Sequence, residues 1–168
     1  MIVLGIDPGT AITGYGIVKE AHDGMLSEIH HGVIRTDSKT PYPIRLKEIH
    51  DGITRLIKQY SPQAVAIEEL FFNKNVTTAL SVSQARGAVI LTCALADLEL
   101  SQYTPIQVKE AVVGYGRAAK MQVQQMVKVL LGLPEIPKPD DAADALAVAI
   151  CHLSSYRMRA VMDTRRRI

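Results

Sequence analysis

Met1-Ile-Val-Leu-Gly-Ile-Asp-Pro-Gly-Thr10, followed by Thr13-Gly-Tyr-Gly-Ile-Val18, is the stretch from which the rest of the chain is read. Its first six residues are apolar and rich in branched side chains, and too few to span a membrane. That pattern fits a central strand buried on both faces. Asp7 stands at the end of this strand, where burying a carboxylate is costly without a cation. Pro8-Gly9 then turns the chain, and Gly14 and Gly16 punctuate the next run. Glycine inside a strand pattern marks a place where another backbone or a ligand comes close. Taken alone, Asp-Pro-Gly reads as a surface aspartate opening a hairpin turn. The remainder of the chain shifts that balance.

A chain of 168 residues is most simply one domain with a substantial core, and 48% hydrophobic against 21% charged residues excludes a disordered polymer. Asp7 interrupts the N-terminal apolar run, so no secretory leader is read. The longest apolar run, Ala88 to Ala96, falls short of the ~20 residues a membrane span needs. A cytoplasmic protein is expected. Cys93 and Cys151 lie in helical apolar patterns and read as buried free thiols. The five histidines show no zinc spacing. A net charge of +2 says little about partners, but its distribution says more. Between Ser101 and Leu133, Lys109, Arg117, Lys120 and Lys128 are opposed only by Glu110, among several glutamines. Arg157, Arg159, Arg165, Arg166 and Arg167 then form a basic tail over 157–168, after a domain of 1–156. That tail is either solvated or phosphate-binding.

Strands are expected near 2–7, 13–20 and 25–36, with Asp23-Gly24 as a hairpin signal. Three successive, locally paired strands argue for an antiparallel half-sheet. Leu46, Ile49, Ile53, Leu56, Ile57 and Tyr60 predict an amphipathic helix over about 43–60, ended by Ser61-Pro62. Ala64–Ile67 is a short strand that delivers Glu68-Glu69. Residues 75–98 read as a long helix, apolar nearly all round beyond Gly87. Such a helix needs cover on two sides, from the core or a second subunit. A weak strand near 101–106, helical turns over 106–113 and a helix through Val123, Val127 and Leu131 follow. Pro137 to Asp141 leads into a last helix burying Ala142, Leu146, Ala149, Ile150 and Leu153.

Acids thus stand at the ends of apolar elements in three places: Asp7, Glu68-Glu69, and Asp140-Asp141 with Asp144. Three residues apart on a helix, Asp141 and Asp144 share a face, and Asp140 and Asp144, four apart, can share one too. An N-cap at Asp141, with Asp144 complementing the helix dipole, would explain one helix start. It leaves both strand-end acids unexplained. Converging carboxylates repel unless a divalent cation neutralises them, and hard oxygen donors suit Mg²⁺ or Mn²⁺.

Gly5-Ile-Asp-Pro-Gly-Thr10 with Thr13-Gly-Tyr-Gly16, Ala66-Ile-Glu-Glu-Leu-Phe71, Gln84-Ala-Arg-Gly87, Gln107-Val-Lys109 and Asp141-Ala-Ala-Asp-Ala-Leu-Ala147 closely resemble, in order and spacing, the RuvC family of bacterial Holliday-junction resolvases. The resemblance ends near Leu153. It implies an α/β, RNase H-like fold: a five-stranded mixed β-sheet, its three N-terminal strands antiparallel, flanked by α-helices, in a homodimer. It implies that Asp7, Glu68, Asp141 and Asp144 are the catalytic metal ligands, for two Mg²⁺ ions with Mn²⁺ as a substitute. Glu69 is read as supporting the site or facing solvent, and Asp140 as a cap. Lys109 and Lys120 match basic residues that the family uses on DNA, and Phe71, with Phe72 beside it, falls near the junction centre. Arg86 is a further candidate for phosphate contact. The implied reaction is paired symmetric nicking of four-way junction DNA, leaving 5′-phosphate and 3′-hydroxyl ends, in homologous recombination and repair. The branch-migration proteins RuvA and RuvB are implied partners. The 75–98 helix is expected at the dimer interface.

Other readings compete. Gly5–Thr10 also looks like the phosphate-binding hairpin of actin-like and sugar-kinase ATPases, which need two such domains around a nucleotide. A related RNase H-like nuclease acting on RNA is a second enzyme reading; the late Asp-Ala-Ala-Asp block and Glu-Glu-Leu-Phe favour the resolvase. A non-catalytic junction-binding module, with its acids serving only as caps, would bind without Mg²⁺ and nick nothing.

Overall fold

Alternation along β1 (Ile2–Asp7) decides what each face of the sheet packs against: Leu4 and Ile6 point to one side, Val3, Gly5 and Asp7 to the other. The computed structural model describes residues 1–69 and 76–165. β1 pairs antiparallel with β2 (Ile12–Glu20), and β2 antiparallel with β3 (Leu26–Arg35). On its other side β1 runs parallel to β4 (Ala64–Glu68), which runs parallel to β5 (Leu100–Tyr103). The order β3-β2-β1-β4-β5 puts β1 at the centre and bears out the antiparallel N-terminal half. In the β2–β3 turn the Asp23 carboxylate accepts the Met25 N–H at 3.0 Å, and Gly24 adopts φ 85°.

Leu4, Ile6, Val65 and Ile67 are covered by α1 (Tyr42–Tyr60) and α2 (Val76–Leu95) through Ile49, Ile53, Leu56, Ala85, Val89 and Cys93. The opposite face carries α3 (Pro105–Val113), α4 (Lys120–Leu130) and α5 (Asp140–Arg165). Both cysteines are buried and free, as expected. Among the described residues no helix is long and apolar enough to cross a membrane.

Several boundaries differ from the sequence expectation for local reasons. α2 stops at Leu95, and Asp97 takes left-handed φ 52°. β5 ends at Tyr103 because Thr104 caps α3: its hydroxyl accepts the Gln107 N–H, and the Gln107 side chain returns to the Thr104 N–H. Asp140 is not a cap. The Pro139 carbonyl accepts the Ala142 and Ala143 N–H groups at 3.0 and 3.3 Å, so Asp140 is already the first helical residue. α5 continues unbroken past 156 to Arg165.

The turn after Asp7 is tied down by a ring of hydrogen bonds. The Thr10 hydroxyl donates to the Ser81 carbonyl at 2.8 Å, and the Thr36 hydroxyl to the Thr10 carbonyl at 2.6 Å. Arg45 Nε donates to Thr36 Oγ1 at 2.8 Å, and the Tyr42 hydroxyl reaches the same Ser81 carbonyl at 3.0 Å. Thr10 and Thr36 are buried. Breaking one link would strand a buried polar group at a cost of about 1–3 kcal/mol.

Candidate active site

Strand periodicity aims the first two acids. On β4, Val65 and Ile67 face α1 and α2, so Ala66 and Glu68 face α5, the side that Asp7 also faces. Gly5 pairs with Ala66 and Ile6 with Ile67, which carries Asp7 and Glu68 side by side at the ends of parallel strands.

The other two acids arrive because α5 lies directly on β1 and β2. A Cβ at Gly14 would stand 2.0 Å from the Asp141 carbonyl oxygen, and one at Gly5 would stand 2.1 Å from that of Ala145. Only glycine admits a helix backbone at this range, and Gly14 is the register partner of Asp7. The helix contributes small buried side chains at Ala142, Ala145 and Ala149. Asp141 and Asp144 are thereby delivered to Asp7 by backbone contact. The glycine reading of the sequence is borne out.

The electrostatics follow from this convergence. Burial pushes the Asp7 carboxyl up to about 7, and Glu68, Asp144 and Asp141 add to the shift in that order; Lys120 alone opposes it. Glu68 is raised to about 6, first by burial and then by Asp144, with Lys109 and Lys120 pulling the other way. Burial also raises Asp144, against a hydrogen bond from Lys120. Four acids sharing one low-dielectric corner outweigh the two lysines, so the site favours added positive charge.

Lys120 stands inside this cluster. Its Nζ lies 2.9 Å from Asp144 Oδ2 and 3.3 Å from Asp140 Oδ2. Burial lowers the affinity of this ammonium for its proton, but the two aspartates overcome that and leave its pKa raised. Lys109 is close enough to Glu68 to act on its charge. A cavity of about 240 Å³ opens between them, with Glu68 and Asp144, Lys109 and Lys120 on its walls and Val108 and Val123 among its apolar lining. Arg86 has a different occupation: its Nε donates to the Glu68 carbonyl at 3.4 Å and its guanidinium contacts the Gln102 side chain. It holds the ends of β4 and β5 together. From sequence Gln102 reads only as one of the glutamines in a basic stretch, and its pairing with Arg86 needs the packed sheet. Phe71 and Phe72 lie outside the described residues. Glu69 continues the strand pairing through its N–H, which donates to the Tyr103 carbonyl at 2.8 Å.

The donor chemistry fits a hard divalent cation, since every converging acid offers carboxylate oxygen. Among the described residues, however, no three His, Cys, Asp or Glu side chains form a closed metal cage. Asp144 is engaged by Lys120 instead.

A mixed five-stranded sheet with acids at the ends of its central strands, completed by two more from a covering helix, defines an RNase H-like nuclease. Comparison with known proteins narrows the class. The sequence profile described as “Crossover junction endodeoxyribonuclease RuvC” matches residues 3–152. A protein of that description from Alkaliphilus metalliredigens is 57% identical, over 98% of this chain and 100% of the relative. Another from Heliobacterium modesticaldum is 59% identical over 90% of this chain and 93% of the relative. The structure of Thermus thermophilus RuvC in complex with Holliday junction substrate superimposes with a TM-score of 0.90 at 39% identity, covering 94% of this chain and 96% of that one. A yeast mitochondrial Holliday junction resolvase, at 12% identity and a TM-score of 0.69, shares the fold. The chain belongs to the RuvC family of crossover junction endodeoxyribonucleases, which are metal-dependent nucleases.

Proposed function

We propose that the chain resolves four-way DNA junctions, as a homodimer, by paired symmetric phosphodiester hydrolysis leaving 5′-phosphate and 3′-hydroxyl ends. The observation that carries this reading is the assembly of Asp7, Glu68, Asp141 and Asp144 beside two lysines. Asp7, Glu68, Asp141 and Asp144 are the residues that would hold two Mg²⁺ ions, for which Mn²⁺ would substitute, with Asp7 central to the site, Glu68 toward one ion and Asp141 and Asp144 toward the other. When bound, such a pair of ions activates water and stabilises the leaving oxygen. The residues of the chain do the rest. Glu68 is oriented by its strand and by Arg86 on its carbonyl; Asp141 and Asp144 are oriented by the seat of α5. Lys109 and Lys120 meet phosphate oxygens at the cavity rim, with Arg86 as a further contact, so binding falls steeply with salt. Phe71, with Phe72 beside it in the sequence, is the aromatic that would stack on an unpaired base near the branch point, a contact worth ~1–3 kcal/mol per base.

A four-way junction has two-fold symmetry, which suits a symmetric dimer. α2 exposes Leu80, Leu91 and Leu95 at 63, 60 and 69%, on one stripe with Gln84 and Gly87. A second copy would cover this stripe. Contact with RuvA and RuvB is carried over from family membership, and a DNA substrate implies work in the cytoplasm of a bacterial cell.

The test is a nicking assay on a synthetic four-way junction with Mg²⁺, comparing wild type with Asp7→Asn and using linear duplex as control. Paired nicks confined to the junction, lost in Asp7→Asn while binding persists, are expected. Equal cutting of duplex, or no cutting by wild type, would refute the proposal.

A further inference from the structure

Lys120 occupies a position that helix electrostatics disfavour. It is the first residue of α4, where the macrodipole repels a cation. What holds its ammonium there is the start of a different helix: Asp144 at 2.9 Å and Asp140 at 3.3 Å, both near the N-terminus of α5, where acids are favoured. The pairing joins α4 to α5 across the mouth of the cavity. It also engages Asp144 Oδ2, an oxygen on one of the four converging acids.

We propose that Lys120 is a resident counter-cation that competes with the divalent ion for Asp144, so that metal loading expels its ammonium and frees it for a DNA phosphate. The inference rests on reading the four acids as metal ligands. A dication on either oxygen of the Asp144 carboxylate repels an ammonium held on Oδ2. Metal entry at Asp144 therefore drives the departure of Lys120. The exchange is easy in both directions. The Lys120 side chain is 54% exposed and Asp144 32%, so the pair lies in the weak regime of solvent-screened ion pairs and swings out without repacking a core. Asp140, which matches no ligand in the resemblance, acquires a purpose as the second arm that keeps the ammonium in reach. The two expected roles of Lys120, phosphate contact and neighbour of the acids, become successive states of one side chain. Metal and DNA binding are then coupled, since both draw the ammonium off Asp144, the metal by displacing it and a phosphate by accepting it.

The experiment uses the full chain without DNA. Mn²⁺ is titrated calorimetrically into wild type, Lys120→Met and Asp7→Asn. In parallel, amine acylation of wild type is followed residue by residue by mass spectrometry, with and without Mn²⁺, taking Lys58, exposed on α1 across the sheet, as internal reference. Lys120→Met is expected to bind Mn²⁺ roughly two- to fivefold more tightly, the range that the loss of a screened ion pair allows. Acylation of Lys120 is expected to rise severalfold relative to Lys58 when Mn²⁺ is added. Mn²⁺ affinity in Lys120→Met equal to or weaker than wild type, or a Lys120 to Lys58 labelling ratio unmoved by Mn²⁺, would overturn the exchange. Asp7→Asn separates the two layers. If it loses Mn²⁺ binding while the Lys120 readouts stay flat, the acids are ligands and only the exchange fails; if it binds Mn²⁺ like wild type, the ligand reading fails and takes the exchange with it.

Discussion

Gly14→Ala tests whether the seat of α5 sets the active site. The added Cβ would lie 2.0 Å from the Asp141 carbonyl oxygen and 2.4 Å from its carbonyl carbon, where ordinary contact begins at 3.4 Å. Both atoms are backbone, so no rotamer change relieves the clash. The first turn of α5 must move out by roughly 1 Å, because packed interiors have no slack to absorb it. Overpacking of this kind costs about 1–3 kcal/mol. For a chain of this length that lowers the melting temperature by roughly 2–12 °C. The functional effect is expected to be larger than the stability loss suggests. The displaced turn carries Asp141 and, one turn on, Asp144, while Asp7 and Glu68 stay on their strands. A displacement of ~1 Å in a catalytic constellation costs on the order of 10²-fold in rate. The assay is single-turnover cleavage of a four-way junction at saturating enzyme, with junction affinity measured separately by gel shift. A rate about 10²-fold down with affinity nearly intact is expected. Cleavage by Gly14→Ala within threefold of wild type, with the melting temperature unchanged, would show that the helix tolerates being lifted.

Three further outcomes can be checked. Asp7 has its pKa raised to about 7 and Glu68 to about 6, so between about pH 4 and 7 the folded protein holds protons that the unfolded chain releases. Stability in chelator should therefore fall as pH rises through that window, by on the order of 2–4 kcal/mol, and urea titrations at pH 5 and 8 should give a much smaller fall for Asp7→Asn; equal falls would contradict the shift. Leu91→Glu puts a charge on the exposed stripe of α2 and is expected to give folded monomers, by sedimentation and circular dichroism, whereas a persisting dimer would remove α2 from the interface. Phe71→Ala should weaken junction binding by roughly five- to a hundredfold if a base is stacked, and unaltered affinity and cleavage would exclude stacking.

Uninterrupted apolar runs made the two central strands legible in advance, with Asp7 and Glu68 at their ends. The face on which each acid emerges follows only from the packed sheet, and the Gly14 and Gly16 signal located the close approach without naming α5 as its cause. What stayed hidden depends on pairs distant in sequence. The grip of Lys120 on Asp144 joins residues 24 positions apart on different helices, and no local pattern encodes it. Arg86 reads from sequence as a DNA contact, and its hold on the Glu68 carbonyl and Gln102 stays hidden because those partners meet only once the sheet and α2 are packed. The error at β5 was of another kind. Thr104-Pro-Ile-Gln107 is a capping box visible in the sequence, and its local hydrogen bonds overrode a weak strand propensity.

The Ser81 carbonyl accepts hydrogen bonds from both Thr10 and Tyr42, so the turn behind Asp7 and the helix proposed to meet a second copy share one anchor. In a dimer joined through α2, each proposed catalytic turn would be referenced to the common two-fold axis through a short polar tie. The separation of the two cuts would then be a dimension of the protein. A junction, whose arms are mobile, would have to conform to that gauge, and the two nicks would fall at symmetric positions because both would be measured from the same line.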